Sequence, residues 1–240
     1  MVHPQPARVF LITGASSGIG VATAHAAAQA GYQLVVAGRS AQKLQMLVDA
    51  LGASAEVLAV CCDTTKWNEQ EALVAAARDR FGRIDVVYAN SGVITGAASF
   101  LSSAAPPEAW QEMIMTNIYG TALTVRALLP ELIKTRGHLL LTGSVLGRVV
   151  MSGSLYGATK WAITGMAESI RQELRGTGVR VTLIAPGQVA TSFGTGRIPV
   201  PTAAAILSAD DVARAVLYAV SQPPHVDVNE VLLRPVGAEL

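Results

Sequence analysis

Charge is scarce in this chain. Only 15% of its 240 residues are Asp, Glu, Lys or Arg, and the formal net charge is +1. A nucleic-acid partner normally meets a basic face, so that class is excluded. Cysteine is nearly missing: Cys61 and Cys62 are the only two, and as neighbours they cannot staple distant segments. That suits a reducing compartment, and a cytoplasmic setting is expected. No apolar run approaches the roughly 18 residues of a membrane span, and residues 1–8 lack the apolar stretch of a secretion signal. No Pro/Gly/Ser-rich linker, repeat or low-complexity tract divides the chain, so one domain over residues 1–240 is expected. No metal site is expected. What the chain does have is apolar residues, 51% of the total, enough for a large core. With so little charge, part of the apolar surface is expected to be buried between subunits.

Apolar runs alternate with longer helical patterns. Residues 8–13, 33–37, 56–60, 85–90, 138–142, 180–185 and 230–234 read as strands. Several are continuous aliphatic runs, the mark of strands covered on both faces. Helices are expected over 20–30, 41–51, 68–81, 107–134, 155–175 and 209–221. This alternation predicts an α/β fold, a Rossmann-like doubly wound parallel sheet of about seven strands with helices on both faces. In such sheets ligands bind at the carboxyl ends of the strands. Residues 191–208, rich in Gly, Pro, Thr and Ala, read as a mobile substrate loop beside the site.

The first strand runs into Thr13-Gly14-Ala15-Ser16-Ser17-Gly18-Ile19-Gly20. Glycines allow a tight turn and close backbone approach to a phosphate, and the following helix N-terminus offers free N–H groups to a pyrophosphate. The spacing G-x-x-x-G-x-G differs from the common G-x-G-x-x-G fingerprint. Gly14 to Gly18 also matches G-x-S-x-G, the nucleophile elbow of esterases. A hydrolase would need an acid and then a histidine downstream. Only His25, His138 and His225 follow, none in a convincing loop after such an acid. The second strand ends at Gly38-Arg39-Ser40, where a carboxylate would hydrogen-bond an adenosine ribose and exclude a 2′-phosphate. Arg39 stands there instead and can pair with a phosphate, with Ser16 and Ser40 as hydroxyl donors. NADP(H) is therefore expected over NAD(H).

Tyr156 and Lys160 are four residues apart in a helical segment and so share a face. A free phenol titrates near pH ~10, and a cation beside it favours the phenolate. Tyr-x-x-x-Lys can therefore serve as a general acid/base near neutral pH.

Further pieces follow in order: Asp63 after the third strand, Asn90-Ser91-Gly92 after the fourth, Asn117 in a long helix, Ser144 after the fifth, and Pro186-Gly187-Gln188-Val189-Ala190-Thr191 after the sixth. With the glycine turn and Tyr156/Lys160, this set resembles the short-chain dehydrogenase/reductase family over essentially the whole chain. The resemblance implies Tyr156 as general acid/base, Ser144 holding the substrate oxygen, Lys160 on the nicotinamide ribose and lowering the tyrosine pKa, and Asn117 binding a relay water. It implies cofactor contacts from Gly14, Ser16, Ser17, Gly18, Ile19 and Gly20, and from Arg39 and Ser40. Asp63 would meet the adenine amino group with the Thr64 backbone nearby, and Asn90 and Gly92 would lie beneath the cofactor. Pro186, Gly187, the Val189 backbone and the Thr191 hydroxyl would complete the nicotinamide end and select its face, in this family the one that transfers the pro-S hydride. Two departures stand out: Ser91 where alanine is common, and a Ser144-to-Tyr156 interval one residue shorter than usual. Ser152 or Ser154 are conceivable substitutes for Ser144, which has the better strand-end context.

The implied reaction is carbonyl–alcohol interconversion on a small molecule. Substrate contacts are expected from Ser144, Leu146, Tyr156, Gln188 and Phe193, with Val93, Ile94 and Met151 nearby. This largely apolar set suits a hydrophobic carbonyl compound; Arg148 and Arg197 are the cations to hand for a charged one. The tail, residues 211–231, resembles a bacterial branch acting on 3-hydroxy acids, serine-like compounds, aldehydes or ketones. The family implies a homotetramer or, less often, a homodimer packed through helices 107–134 and 155–175. An NAD(H)-preferring enzyme and a non-catalytic NADP(H)-binding sensor or scaffold are the alternatives.

Overall fold

The computed structural model describes residues 7–95, 100–101, 105–193 and 206–237. Seven strands form one sheet: β1 Val9–Thr13, β2 Gln33–Gly38, β3 Val57–Cys61, β4 Val86–Ala89, β5 His138–Thr142, β6 Arg180–Pro186 and β7 Glu230–Leu233. Their order is β3-β2-β1-β4-β5-β6-β7, and every pairing is parallel. The order reverses between β1 and β4. A crevice opens there at the carboxyl ends, where the chain leaves for opposite faces.

The interior strands are apolar without interruption because both faces are covered. In β1, Val9 and Leu11 enter one core and Phe10 and Ile12 the other. The first core is roofed by α3 (Trp67–Phe81), α5 (Thr121–Thr135) and α6 (Leu155–Glu173) through Leu73, Leu128, Leu132, Ile163 and Ala167. The second is roofed by α1 (Gly18–Gln29), α2 (Ala41–Leu51) and α7 (Ala209–Ser221) through Ala24, Leu44, Val212 and Val216. Three helices start on serine caps, where the hydroxyl accepts an otherwise unpaired N–H. Ser40 caps α2, Ser154 caps α6, and Ser208 with Asp211 forms a capping box on α7. Among the described residues, no helix is long and apolar enough to cross a membrane.

The doubly wound fold follows the sequence reading, with element ends shifted by a residue or two. The single helix expected over 107–134 is instead α4 (Pro107–Ile114), a π-helical turn (Met115–Gly120) and α5. The Thr121 hydroxyl donates to Asn117 O at 2.8 Å and the Thr124 hydroxyl to Gly120 O at 2.9 Å. A Cβ on Gly120 would lie 2.8 Å from Thr64 Oγ1, so the turn presses directly on the end of β3. Such single-turn bulges inside α-helices recur at functional sites. Most of the loop expected over 191–208 lies outside the described residues.

His138 opens β5 at the amino end of the sheet, fully buried, with Nε2 2.7 Å from the Thr182 hydroxyl. Burial, then the charges of Arg180 and Arg8, push its pKa down to about 3. The folded value lies below the ordinary ~6.5, so the unfolded chain takes up the proton first as pH falls. Stability from a neutral His138 is present above that range and is lost towards about 3, at about 1.4 kcal/mol per pH unit. His138→Gln keeps a partner for Thr182 and removes the titration. Chemical unfolding at stepped pH should show a shallower acid loss in the variant; parallel curves would refute it.

Candidate active site

The glycine turn is shaped by close backbone approach. Gly14 and Gly18 adopt φ of 63° and 50°, which side chains disfavour. A Cβ on Gly20 would lie 2.2 Å from Gly14 O, so the turn tolerates nothing larger there. Ser17 precedes α1 without a side-chain cap, and Gly20 N donates to Ser17 O at 3.1 Å, which leaves the Gly18 and Ile19 N–H groups for an anion. Ser16 Oγ would stand 3.1 Å from a Cβ on Gly38, so the turn meets the end of β2 beside Arg39 and Ser40. The Ser40 hydroxyl accepts from Lys43 N at 3.3 Å as a cap, and its proton stays available.

Beyond that lies a cleft of about 300 Å³, walled by Arg39, Asp63 and Thr65 on the sheet side and by Glu108, Glu112 and Thr116 from α4 and the π turn. Burial pushes the Asp63 carboxyl up, but the Thr65 N–H and hydroxyl, then Arg39 and Lys66, more than reverse this and hold it below the usual range. The Thr65 contacts measure 3.0 and 2.8 Å to Asp63 Oδ1. These features fit a dinucleotide: a phosphate cradle closed to any Cβ, with an adenosine-sized cleft next to it.

A polar chain crosses the strand ends. The Thr13 hydroxyl accepts from Asn90 N and Ser91 N at 3.1 and 3.3 Å. Asn90 Nδ2 donates to Thr13 O and Gly14 O, each at 3.3 Å. The Thr142 hydroxyl donates to Asn90 Oδ1 at 2.9 Å, and Lys160 Nζ donates to Thr142 O at 2.8 Å. Asn117, on the π turn, accepts from Val93 N at 2.8 Å and donates to Val93 O at 3.0 Å and Thr159 Oγ1 at 3.1 Å. A Cβ on Gly92 would lie 3.4 Å from Asn117 Oδ1 and 4.0 Å from both Lys160 Nζ and Phe193 Cε2. Gly92 is thus the floor on which these groups converge.

Ser144 lies beside Tyr156 and acts to lower its pKa. Ser144 Oγ accepts from Leu146 N at 3.1 Å. The short interval is taken up by a 3-10 turn, Val145–Gly147, and by Ser154, whose hydroxyl is engaged with Gly157 N at 2.9 Å. Ser154 is thus the cap of α6, and Ser152 is exposed. The electrostatics depart from the expectation that Lys160 lowers the phenol. Burial pushes the Tyr156 hydroxyl above its usual value, with only the Ser144 hydrogen bond opposing. Lys160 is itself pushed down to about 8 by burial. Its ammonium stands 5.6 Å from the Tyr156 ring centroid and is anchored on Thr142.

Residues 186–191 bend over the strand ends. Gly187 N donates to Leu233 O at 2.7 Å, Val189 bridges Leu207, and Thr191 N donates to Val189 O at 2.9 Å. The Thr191 methyl stands 3.0 Å from a Cβ on Gly18, so this segment reaches the glycine turn. Gln188 O accepts from Leu207 N at 3.0 Å. The Phe193 ring lies 6.0 Å from that of Tyr156, while Leu146 and Ile94 are buried and Met151 is partly exposed. Arg148 is bound bidentately by Glu230 at 2.9 and 2.8 Å, so it is not free for a charged substrate. Arg197 lies outside the described residues. His138, at the opposite end of the sheet, cannot serve Ser16 as a hydrolase base.

A sequence profile of short chain dehydrogenase matches residues 8–198. This chain is an oxidoreductase of the short-chain dehydrogenase family. An uncharacterized oxidoreductase of Staphylococcus aureus (strain MRSA252) is 39% identical over 234 residues, spanning 95% of this chain and 97% of its own. Of solved members, an alcohol dehydrogenase from the archaeon Thermococcus sibiricus, complexed with 5-hydroxy-NADP, is 34% identical, with a TM-score of 0.87 over 97% of this chain and 98% of its own. A serine dehydrogenase in its closed form with NADP+ is 30% identical, TM-score 0.86, over 94% of each chain. A family member from Burkholderia phymatum in complex with NAD is 28% identical, TM-score 0.82, over 95% of this chain and 89% of its own. Short-chain dehydrogenases thus bind NADP in some cases and NAD in others.

Sequence reasoning missed Thr13, Thr142 and Thr159 as site partners. Thr13 and Thr142 each close an apolar strand run, the one signal that marked them, while Thr159 lies inside α6 with no such signal. It also missed Glu112, whose place opposite Arg39 depends on where α4 runs. Asn117→Leu would leave the Val93 N–H and C=O without their side-chain partner. Denaturant unfolding should show a loss of about 1–3 kcal/mol; an unchanged midpoint would show that the bridge contributes nothing.

Proposed function

We propose that this short-chain dehydrogenase is an NADP(H)-dependent enzyme that interconverts a hydrophobic ketone or aldehyde and its alcohol. The observation that carries the reading is the placing of Asn117 and Lys160 at the Gly92 floor, with the Tyr156 ring 5.6 Å from Lys160 and Ser144 beside Tyr156. The residues that would hold the cofactor are the turn from Gly14 to Gly20, Arg39, Ser40, Asp63, Asn90, Lys160 and the segment from Pro186 to Thr191. When bound, the nicotinamide supplies or accepts the hydride.

The chain's own groups handle the proton. Tyr156 is held neutral by burial, which makes it a proton donor to a carbonyl oxygen as that oxygen gains charge. Ser144, beside Tyr156, donates a second hydrogen bond to the same oxygen. Two preset donors stabilise the developing alkoxide without reorganising at the moment of reaction. In the reverse direction Tyr156 must give up its proton first, against its burial, and the Lys160 ammonium stands 5.6 Å from the ring centroid of the phenolate so formed. Its pKa of about 8 means this charge is present at neutral pH and is lost above it. Asn117 fixes Val93 and Thr159 around Lys160, so the relay is positioned by the π turn.

Arg39 at the end of β2, with no carboxylate beside it in sequence, supports NADP(H). The Ser16 and Ser40 hydroxyls add donors at the same place. Pairing of Arg148 with Glu230 and the apolar Ile94, Leu146 and Phe193 favour a neutral, hydrophobic substrate over a 3-hydroxy acid. Exposed Ile114, Tyr119, Ile133 and Trp161, along α4, the π turn, α5 and α6, support a homotetramer or homodimer, and the free thiols of Cys61 and Cys62 support a cytoplasmic setting.

Tyr156→Phe keeps the ring and removes the proton. Turnover of a carbonyl panel with NADPH should fall at least about 10²-fold, with NADPH affinity kept; near-normal turnover would refute the assignment. Wild-type kcat should decline as pH rises through about 8 with loss of the Lys160 charge, which a flat profile would contradict. Arg39→Asp should weaken NADPH binding by tenfold or so and spare NADH. An unchanged preference would remove the basis for naming NADP(H).

A further inference from the structure

The Arg39 guanidinium is already engaged. Its Nη1 stands 3.5 Å from Glu112 Oε1, both side chains being largely exposed. Glu112 belongs to α4, so the pair spans the mouth of the cleft from the end of β2 to the opposite wall. Glu108, one helical turn earlier, lines the same wall, and Asp63 lines the sheet side. Three carboxylates thus share the cleft with a single guanidinium.

A phosphate at this place carries a charge of about −1.5 to −2 at neutral pH. To use Arg39 it must share the guanidinium with Glu112 or displace it. In either case the carboxylate stays within the cleft, close to the incoming dianion. A ribose carrying only hydroxyls has no such conflict. We propose that Glu112 is a specificity-determining residue: its carboxylate competes with the 2′-phosphate for Arg39 and so limits how strongly this chain prefers NADP(H) over NAD(H). The inference rests on the reading of Arg39 as the 2′-phosphate ligand and adds the residue that opposes it. Nothing in the sequence marks Glu112, because the juxtaposition arises only when α4 crosses the end of β2.

The size of the effect follows from the setting. An exposed ion pair contributes little by itself, and the like charge beside a dianion adds to it at low ionic strength. Removing the carboxylate should therefore strengthen NADPH binding by about three- to tenfold.

The test is equilibrium titration of wild type, Glu112→Gln, Arg39→Ala and the double variant with NADPH and with NADH, at low salt. The quantity read is the ratio of the NADH to the NADPH dissociation constant. Glu112→Gln should raise it about three- to tenfold, through tighter NADPH binding alone. The gain should shrink in the Arg39→Ala background, where only the like-charge part is left, and shrink at high salt. A ratio unaltered by Glu112→Gln overturns the inference whichever cofactor the wild type prefers, and so does a gain of full size without Arg39. A wild-type ratio near unity that Arg39→Ala leaves unchanged, with Glu112→Gln also silent, overturns the NADP(H) reading as well. Glu112 is surface-exposed, so the variant is expected to fold normally, which circular dichroism checks.

Discussion

The site depends on one polar chain laid across the carboxyl ends of three strands. Thr13 ends β1, Asn90 follows β4, and Thr142 ends β5; each is hydrogen-bonded to the next, and the last holds the Lys160 ammonium. Each strand end carries an unpaired backbone group that the sheet ladder no longer satisfies, and buried groups of that kind need partners. The threonine and asparagine side chains meet that need. In doing so they fix the glycine turn, the floor at Gly92 and the lysine in one frame. The crevice formed by the reversal of strand order is thereby made rigid where chemistry takes place.

The electrostatics follow from burial. Lys160 and Tyr156 lie where water is largely removed, so each is driven towards its neutral form. A neutral phenol beside Ser144 is suited to giving a proton to a carbonyl oxygen. A lysine whose charge is only moderately stable responds to what is placed beside it. Local order comes from the π turn, which points Asn117 at Val93 and Thr159 while Gly120 lets the same turn press on Thr64. A regular α-helix through this stretch would rotate Asn117 relative to the residues that follow, and the bridge to Val93 would be lost.

Much of this was legible in the residues. The strands are short apolar runs between helical patterns, so their parallel pairing and the carboxyl-end crevice follow from periodicity and burial. Gly14, Gly18 and Gly20 announce a turn that side chains cannot enter, and the structure gives the reason in the positive φ values and the Gly14 O contact. Tyr156 and Lys160 announce a shared helix face. Less was legible where two elements distant in sequence meet. Asn117 in a helix signals a local irregularity without saying that it becomes a π turn. Arg39 signals a phosphate, but Glu112 and its ion pair appear only once α4 is laid across the cleft. The sign of the Tyr156 shift was also hidden, since spacing measures proximity to Lys160 and not the desolvation that outweighs it.

The two ends of the crevice therefore differ in kind. At the inner end, Lys160 and Asn117 are buried with their polar groups engaged. At the outer end, Arg39 and Glu112 are exposed charges, and in the proposed reading they adjust which nucleotide is held. The central claim is that a hydride passes between a nicotinamide and a carbonyl carbon at the inner end. The most direct measurement is mass spectrometry of alcohols formed from a panel of hydrophobic ketones and aldehydes with NADPH deuterated at the pro-S position of C4. The account predicts one deuterium on the carbinol carbon. Alcohol formed without deuterium from either face of NADPH, or no alcohol from any member of the panel, would contradict it.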